Sequence, residues 1–233
     1  MSAAGEPEFG ETWVYESIVG TLPGVSLSPA RAVALQFVGF EVAVLALAWA
    51  YDLGQAALAG TVAVAVAAAG SAAMLDLGSR VRAIDAPDPY RRLLFGSGIE
   101  VVLALLAYVA LLTYLFAFDP REGSTLMGDL LGPDPPLVVV YLLLLIAWDL
   151  CYRIGTGWWA AVAALYRSVR FEFDPGDRRA LRRLDLRTAA FALVQLALLP
   201  PLRDHPILAF AVGGHVLAVW IVVGASVLSL SRT

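Results

Sequence analysis

Long apolar runs, at about 31–52, 55–77, 93–117, 136–158, 187–202 and 206–229, follow one another through this chain, separated by short charged loops. No other feature limits the possible folds so severely. A hydrocarbon layer about 30 Å thick takes roughly 20 such residues to cross as a helix. Lipid offers no partner to an unpaired backbone N–H or C=O, so runs of this length must close their hydrogen bonds within themselves. The chain is 60% hydrophobic and 15% charged, whereas a soluble domain has about 25% charged residues. The expectation is an all-α, polytopic transmembrane bundle of about six spans. A single membrane domain, 28–233, follows a short N-terminal segment, 1–27.

Charge placement sets the expected orientation. All 16 basic residues are arginine, against 20 acids. With both termini in the cytoplasm, 13 of the 16 fall inside, Arg121 and Arg203 fall outside, and Arg153 lies in an apolar run. Positive charge is retained on the cytoplasmic side. Loops 79–92 and 168–186 are therefore expected inside, 118–135 outside, and the protein in the cell membrane. The absence of lysine and the surplus of acids, Ala and Val resemble proteins of salt-loving archaea; a high-GC actinobacterium is the alternative source of such a composition.

Local chemistry marks the helix starts. Ser28-Pro29, Asp88-Pro89, Asp134-Pro135 and Asp174-Pro175 each pair a capping oxygen with a proline suited to the first helical position. From Asp174 the segment 175–186 reads as a basic amphipathic helix. Leu181 and Leu184 lie on one face, and Arg178, Arg179, Arg182 and Arg183 on the other. It is either a surface helix whose arginines contact lipid or a solvated loop. Phe9, Trp13, Tyr15, Ile18 and Leu22 give the N-terminal segment an interfacial character. In run 55–77, Ala59, Ala63, Ala67 and Ser71 recur every four residues and allow close helix approach.

Ionisable groups inside the runs carry the functional interest, since each costs roughly 2.5–3.5 kcal/mol at a helix centre. They are Glu41, Glu100, Asp149, Arg153 and His215, joined by the polar Gln195. Counted from the inner end of each run, Glu41, Glu100, Asp149 and Gln195 fall roughly 10–15 Å deep, Arg153 roughly 8 Å and His215 roughly 21 Å. Asp149 and Arg153, four residues apart, can pair along one helix. Trp158, Trp159 and Tyr166 read as an inner aromatic belt, with Gly155 and Gly157 as the place where the helix relaxes or kinks. A carboxylate layer with one nearby arginine must protonate, bind a cation or admit water.

Other chemistries find little footing. The sequence has no Walker loop, GxGxxG, HExxH or GxSxG, so no catalytic residue is singled out. One Cys and two His make a resident transition metal or haem an unsuitable expectation, and no cofactor is expected. Positive-inside topology accounts for the basic loops without nucleic acid. The expected partners are the bilayer and, where the chain assembles, its own copies or other membrane subunits. Two functions remain: a small channel or transporter for protons, cations or a small solute, working through the carboxylate layer, or a non-catalytic membrane subunit whose buried polar groups are structural.

Overall fold

The computed structural model describes residues 12–14, 28–84, 86–121 and 125–232. The expected interfacial segment 1–27 lies outside the described residues apart from 12–14. The elements are α1 (Pro29–Ala50), α2 (Gly54–Ala83), α3 (Asp88–Gly96), α4 (Ile99–Thr113), α5 (Leu126–Leu131), α6 (Leu137–Arg170), α7 (Pro175–Val194) and α8 (Pro206–Arg232). Helix α4 runs on through a π turn, Tyr114–Phe118, and a 3₁₀ turn, Asp119–Arg121.

Among the described residues, five helical segments are long and apolar enough to cross a membrane: Ala30–Ala50, Gly54–Ala83, Asp88–Arg121, Leu137–Arg170 and Pro206–Ser231. Their outward faces are apolar: Leu35 is 63% exposed, Leu137 87% and Phe210 80%. Water would penalise such a surface, whereas lipid matches it. The expected fifth run, 187–202, does not reach the same length and hydropathy. It is the second half of α7 followed by two 3₁₀ turns, Gln195–Leu198 and Pro200–Leu202. Pro200 and Pro201 stop it, because proline supplies no N–H to continue the ladder.

Segment 175–186 is likewise not a separate surface helix; it is the first half of α7. Leu181 and Leu184, expected to anchor in lipid, are buried in protein. Leu181 packs with Phe173 and Leu230, and Leu184 joins a core containing Tyr90, Leu94 and Trp159. Three of the four arginines donate to carbonyls, two of them beyond their own helix: Arg178 Nε to Phe173 O at 2.8 Å, and Arg182 Nη2 to Leu230 O at 3.0 Å near the end of α8. A cation there meets the negative end of the helix dipole. Arg179 bonds within its own helix, to Pro175 O at 3.2 Å.

Capping follows the sequence in part. Ser28 Oγ accepts from Arg31 N with Pro29 in the first turn; Asp174 holds the cap position before Pro175 at the start of α7, but its side chain makes no capping hydrogen bond. Asp88 is instead inside α3 and pairs with Arg91, three residues on. Helix α6 begins at Leu137 after Pro136, later than Asp134-Pro135 implies.

Helix α6 ends twelve residues beyond residue 158, at Arg170, and passes Gly155 and Gly157 without interruption. Gly155 serves close approach: a Cβ there would lie 2.9 Å from the backbone nitrogen of Ala104 on α4. The aromatic belt expected near 158 is mostly internal. Trp159 is buried and donates to Leu94 O at 3.2 Å, and Trp158 lies beside His215; only Tyr166 is exposed. Trp13 is buried too, its Nε1 donating to Met74 O at 3.1 Å and its ring edge-on to Phe95 at 4.9 Å. An indole has an apolar body and one donor, and a helix carbonyl inside the bundle satisfies both better than a headgroup.

Candidate functional site

Helices α1, α2 and α6 meet at a polar cluster within otherwise apolar surfaces. Arg153 Nη2 donates to Asp149 Oδ1 at 2.9 Å, one turn along α6. Gln36 Nε2 on α1 donates to Asp149 Oδ2 at 2.7 Å. Gln36 Oε1 lies 3.5 Å from the hydroxyl of Ser71 on α2, and Arg153 Nη1 lies 3.4 Å from Met74 Sδ. Both carboxylate oxygens of Asp149 are engaged, and the arginine is 1% exposed. Desolvating an ion pair is costly unless geometry and further hydrogen bonds compensate it. Gln36 and Met74 supply those contacts, and neither was legible as a partner from spacing on α6 alone.

A cavity of about 290 Å³ opens next to this cluster, between α2, α6 and α7. Gly70 and Phe191, both buried, line it beside the stem of Arg153. A Cβ at Gly70 would fall 2.7 Å from both Arg153 Cβ and Phe191 Cζ, so only glycine leaves the helices this close. Its rim carries Asp76 and Arg187, paired at 2.5 Å, while Asp76 also holds Arg80 at 2.7 Å. A second pocket, about 10 Å³, touches Asp149 and Gln36 from the other side; one water needs about 10–15 Å³. Arg153 borders the larger space and Asp149 the smaller.

The remaining sequence candidates disperse. Glu41 Oε1 accepts from Thr61 on α2 at 2.7 Å. Glu100 is fully buried in the first turn of α4, where the helix dipole favours a negative charge. Neither of its carboxylate oxygens has a hydrogen-bond partner among the described residues. Helices α4 and α6 run antiparallel, with Leu94 against Trp159, Ala104 against Gly155 and Tyr108 against Leu144. Glu100 thus sits toward the arginine-rich end and Asp149 away from it, on the order of 15 Å apart along the axes. The depth count placed them together because it stopped α6 at 158. No hydrogen bond or ion pair joins Glu41, Glu100 and Asp149 among the described residues. Gln195 is buried at the end of α7, and His215 faces Trp158 at 6.0 Å between ring centres.

Two polar clusters escaped the sequence reading. In the first, Arg167 Nη2 contacts both oxygens of Asp185 at 2.7 and 2.8 Å, Arg167 Nη1 contacts Tyr90 OH at 3.1 Å, and Ser226 Oγ donates to Asp185 Oδ2 at 2.8 Å. This cluster ties α3, α6, α7 and α8 together. In the second, at the opposite end, His205 Nε2 lies 3.1 Å from Asp129 Oδ2 and Nδ1 lies 3.4 Å from Asp119 Oδ1. Asp185 is hidden among arginines in the sequence, and His205 lies in a turn; neither interrupts a long apolar run. No group of three or more His, Cys, Asp or Glu suited to a metal occurs among the described residues.

Apolar outer faces, five membrane-length helices and a buried ion-pair cluster define a helical bundle built for a membrane. More narrowly, the chain belongs to a family of unknown function, DUF7530, which matches residues 8–226. No curated protein and no solved structure matches it.

Proposed function

We propose that this chain is a small membrane transporter or carrier that takes a small amphiphilic anion into the cavity between α2, α6 and α7. The cavity is the observation that carries the reading. At about 290 Å³ it stands at the lower edge of the roughly 300–1,000 Å³ usual for small-molecule sites. The 13-to-2 arginine bias of the six-run reading supports a charged rim at the cytoplasmic face of the cell membrane and both termini inside. With Cys151 replaced by Ser, a thiol at Asp134 then reacts with an impermeant reagent from outside and one at Ser79 does not; the reverse pattern inverts the orientation.

An ion or proton path through a shared carboxylate layer has less support. Glu41 and Asp149 each have their own donors, and Glu100 lies apart. That same separation favours a second reading, in which the chain is a non-catalytic scaffold and its buried polar groups, Gln195 and His215 among them, fix helix packing. Octanoate separates the two. On the binding reading it raises the thermal midpoint of the purified protein, and Gly157→Leu abolishes the rise by filling the cavity. A Cβ at Gly157 meets only the Phe191 ring, at 3.4 Å, and unchanged helical circular dichroism of the variant checks that it folds. A midpoint unmoved by octanoate in the wild type supports the scaffold.

A further inference from the structure

We propose that the cavity's occupant is the apolar chain of an anionic membrane lipid, which enters sideways between α2 and α7 with its headgroup on Arg80 and Arg187. The inference rests on the reading of the cavity as a binding site and names what fills it.

Inside the cavity almost nothing remains to bind a polar solute. The Thr156 hydroxyl donates to Tyr152 O at 2.7 Å and that of Thr188 to Leu184 O at 3.4 Å, each one turn back along its own helix. Both hydroxyl protons are therefore already donated within the helices. Arg153 also lines it, but its Nη2 is engaged by Asp149 and its Nη1 lies against Met74 Sδ. A polar solute would lose its hydration here and find few donors or acceptors in return. A hydrocarbon chain loses nothing. The volume, 290 Å³, holds about ten groups of methylene size at the ~30 Å³ that a water-sized group occupies.

The rim has the opposite character. Asp76 is shared by Arg80 and Arg187, both about half exposed, at 49% and 51% of their side chains. One carboxylate against two guanidiniums leaves a net positive charge at the mouth. Guanidinium groups present several donors that match phosphate oxygens. Ala72, also at the rim, is exposed, so the opening faces out from the bundle between α2 and α7. Charged rim and apolar interior thus sit in the order of a lipid headgroup and its chain.

The test uses the full chain in nanodiscs of equal phosphatidylglycerol and phosphatidylcholine, followed by native mass spectrometry of the lipid that stays bound after gentle extraction. The wild type should retain one phosphatidylglycerol per chain. Arg187→Gln and Arg80→Gln should each cut the preference over phosphatidylcholine about fivefold, and Arg187→Lys, which keeps the charge, should preserve most of it. Gly157→Leu should lose bound lipid of either headgroup. Retention without headgroup preference, or retention indifferent to Gly157→Leu, overturns the inference. A protein that octanoate stabilises but that retains no lipid overturns sideways entry and leaves the cavity reading standing; neither response removes both.

Discussion

Arg167→Ala will lower the unfolding free energy by about 3–5 kcal/mol, the cost of leaving one partner of a buried ion pair uncompensated. Asp185 is 2% exposed and receives both bonds to its oxygens from one guanidinium nitrogen, with Ser226 adding a third contact. Removing the guanidinium leaves a carboxylate with a single hydroxyl donor in apolar surroundings, and strips Tyr90 OH of the arginine as well. Asp185→Ala should cost a similar amount, by stranding Arg167. Ser226→Ala removes one bond of four and should cost about 1–3 kcal/mol. Replacing both charges together, Arg167→Met with Asp185→Leu, should be much milder than either single change, since two apolar groups carry no desolvation debt. Denaturant or SDS unfolding in micelles measures all four. Single losses no larger than that of the double variant would mean that water reaches this cluster.

Trp13→Ala is the second large effect, about 3–5 kcal/mol. The indole is fully buried, far in sequence from its neighbours, and contacts Phe95 while donating to Met74 O. Truncation loses its buried apolar area, opens a void that neighbouring helices cannot fill by rotation, and deletes one hydrogen bond. Trp13→Phe keeps most of the packing without the donor, so its smaller loss isolates the bond at about 1 kcal/mol. Were Trp13 a headgroup residue, as the aromatic pattern of segment 1–27 implies, Trp13→Ala would change the unfolding free energy by no more than about 0.5 kcal/mol.

The contrast between Trp13 and the five long helices shows which part of the fold could be read from the residues. The centres of those helices follow from hydrophobicity, because lipid imposes the same demand at every position along a span. Their ends do not. Helix α6 continues to Arg170 because Ala160, Ala161, Ala163 and Ala164 pack against protein beyond the apolar run, and protein contacts need no uniform hydropathy. The same holds for Leu181 and Leu184: an amphipathic pattern gives the apolar face but not what covers it. At the site, the Asp149–Arg153 pair was legible because four-residue spacing fixes it within one helix. Gln36, Ser71 and Met74 were not, since their contact with that pair depends on which faces of α1 and α2 meet α6. The cavity is a further step removed. It arises where Gly70, Gly157 and Phe191 set the distances among three helices, and no window of sequence contains that information.

A photoreactive alkyl carboxylate with its diazirine at the chain end, irradiated with the protein in membranes, tests the binding reading most directly. The carboxylate should rest on Arg80 and Arg187, and the chain end should reach the buried residues of the cavity lining. Peptide mapping should then find the label on Thr156, Gly157 or Phe191, and Gly157→Leu should abolish it. Label spread instead over the outward faces, at Leu35, Leu106 and Phe210, with no loss in Gly157→Leu, would contradict the account.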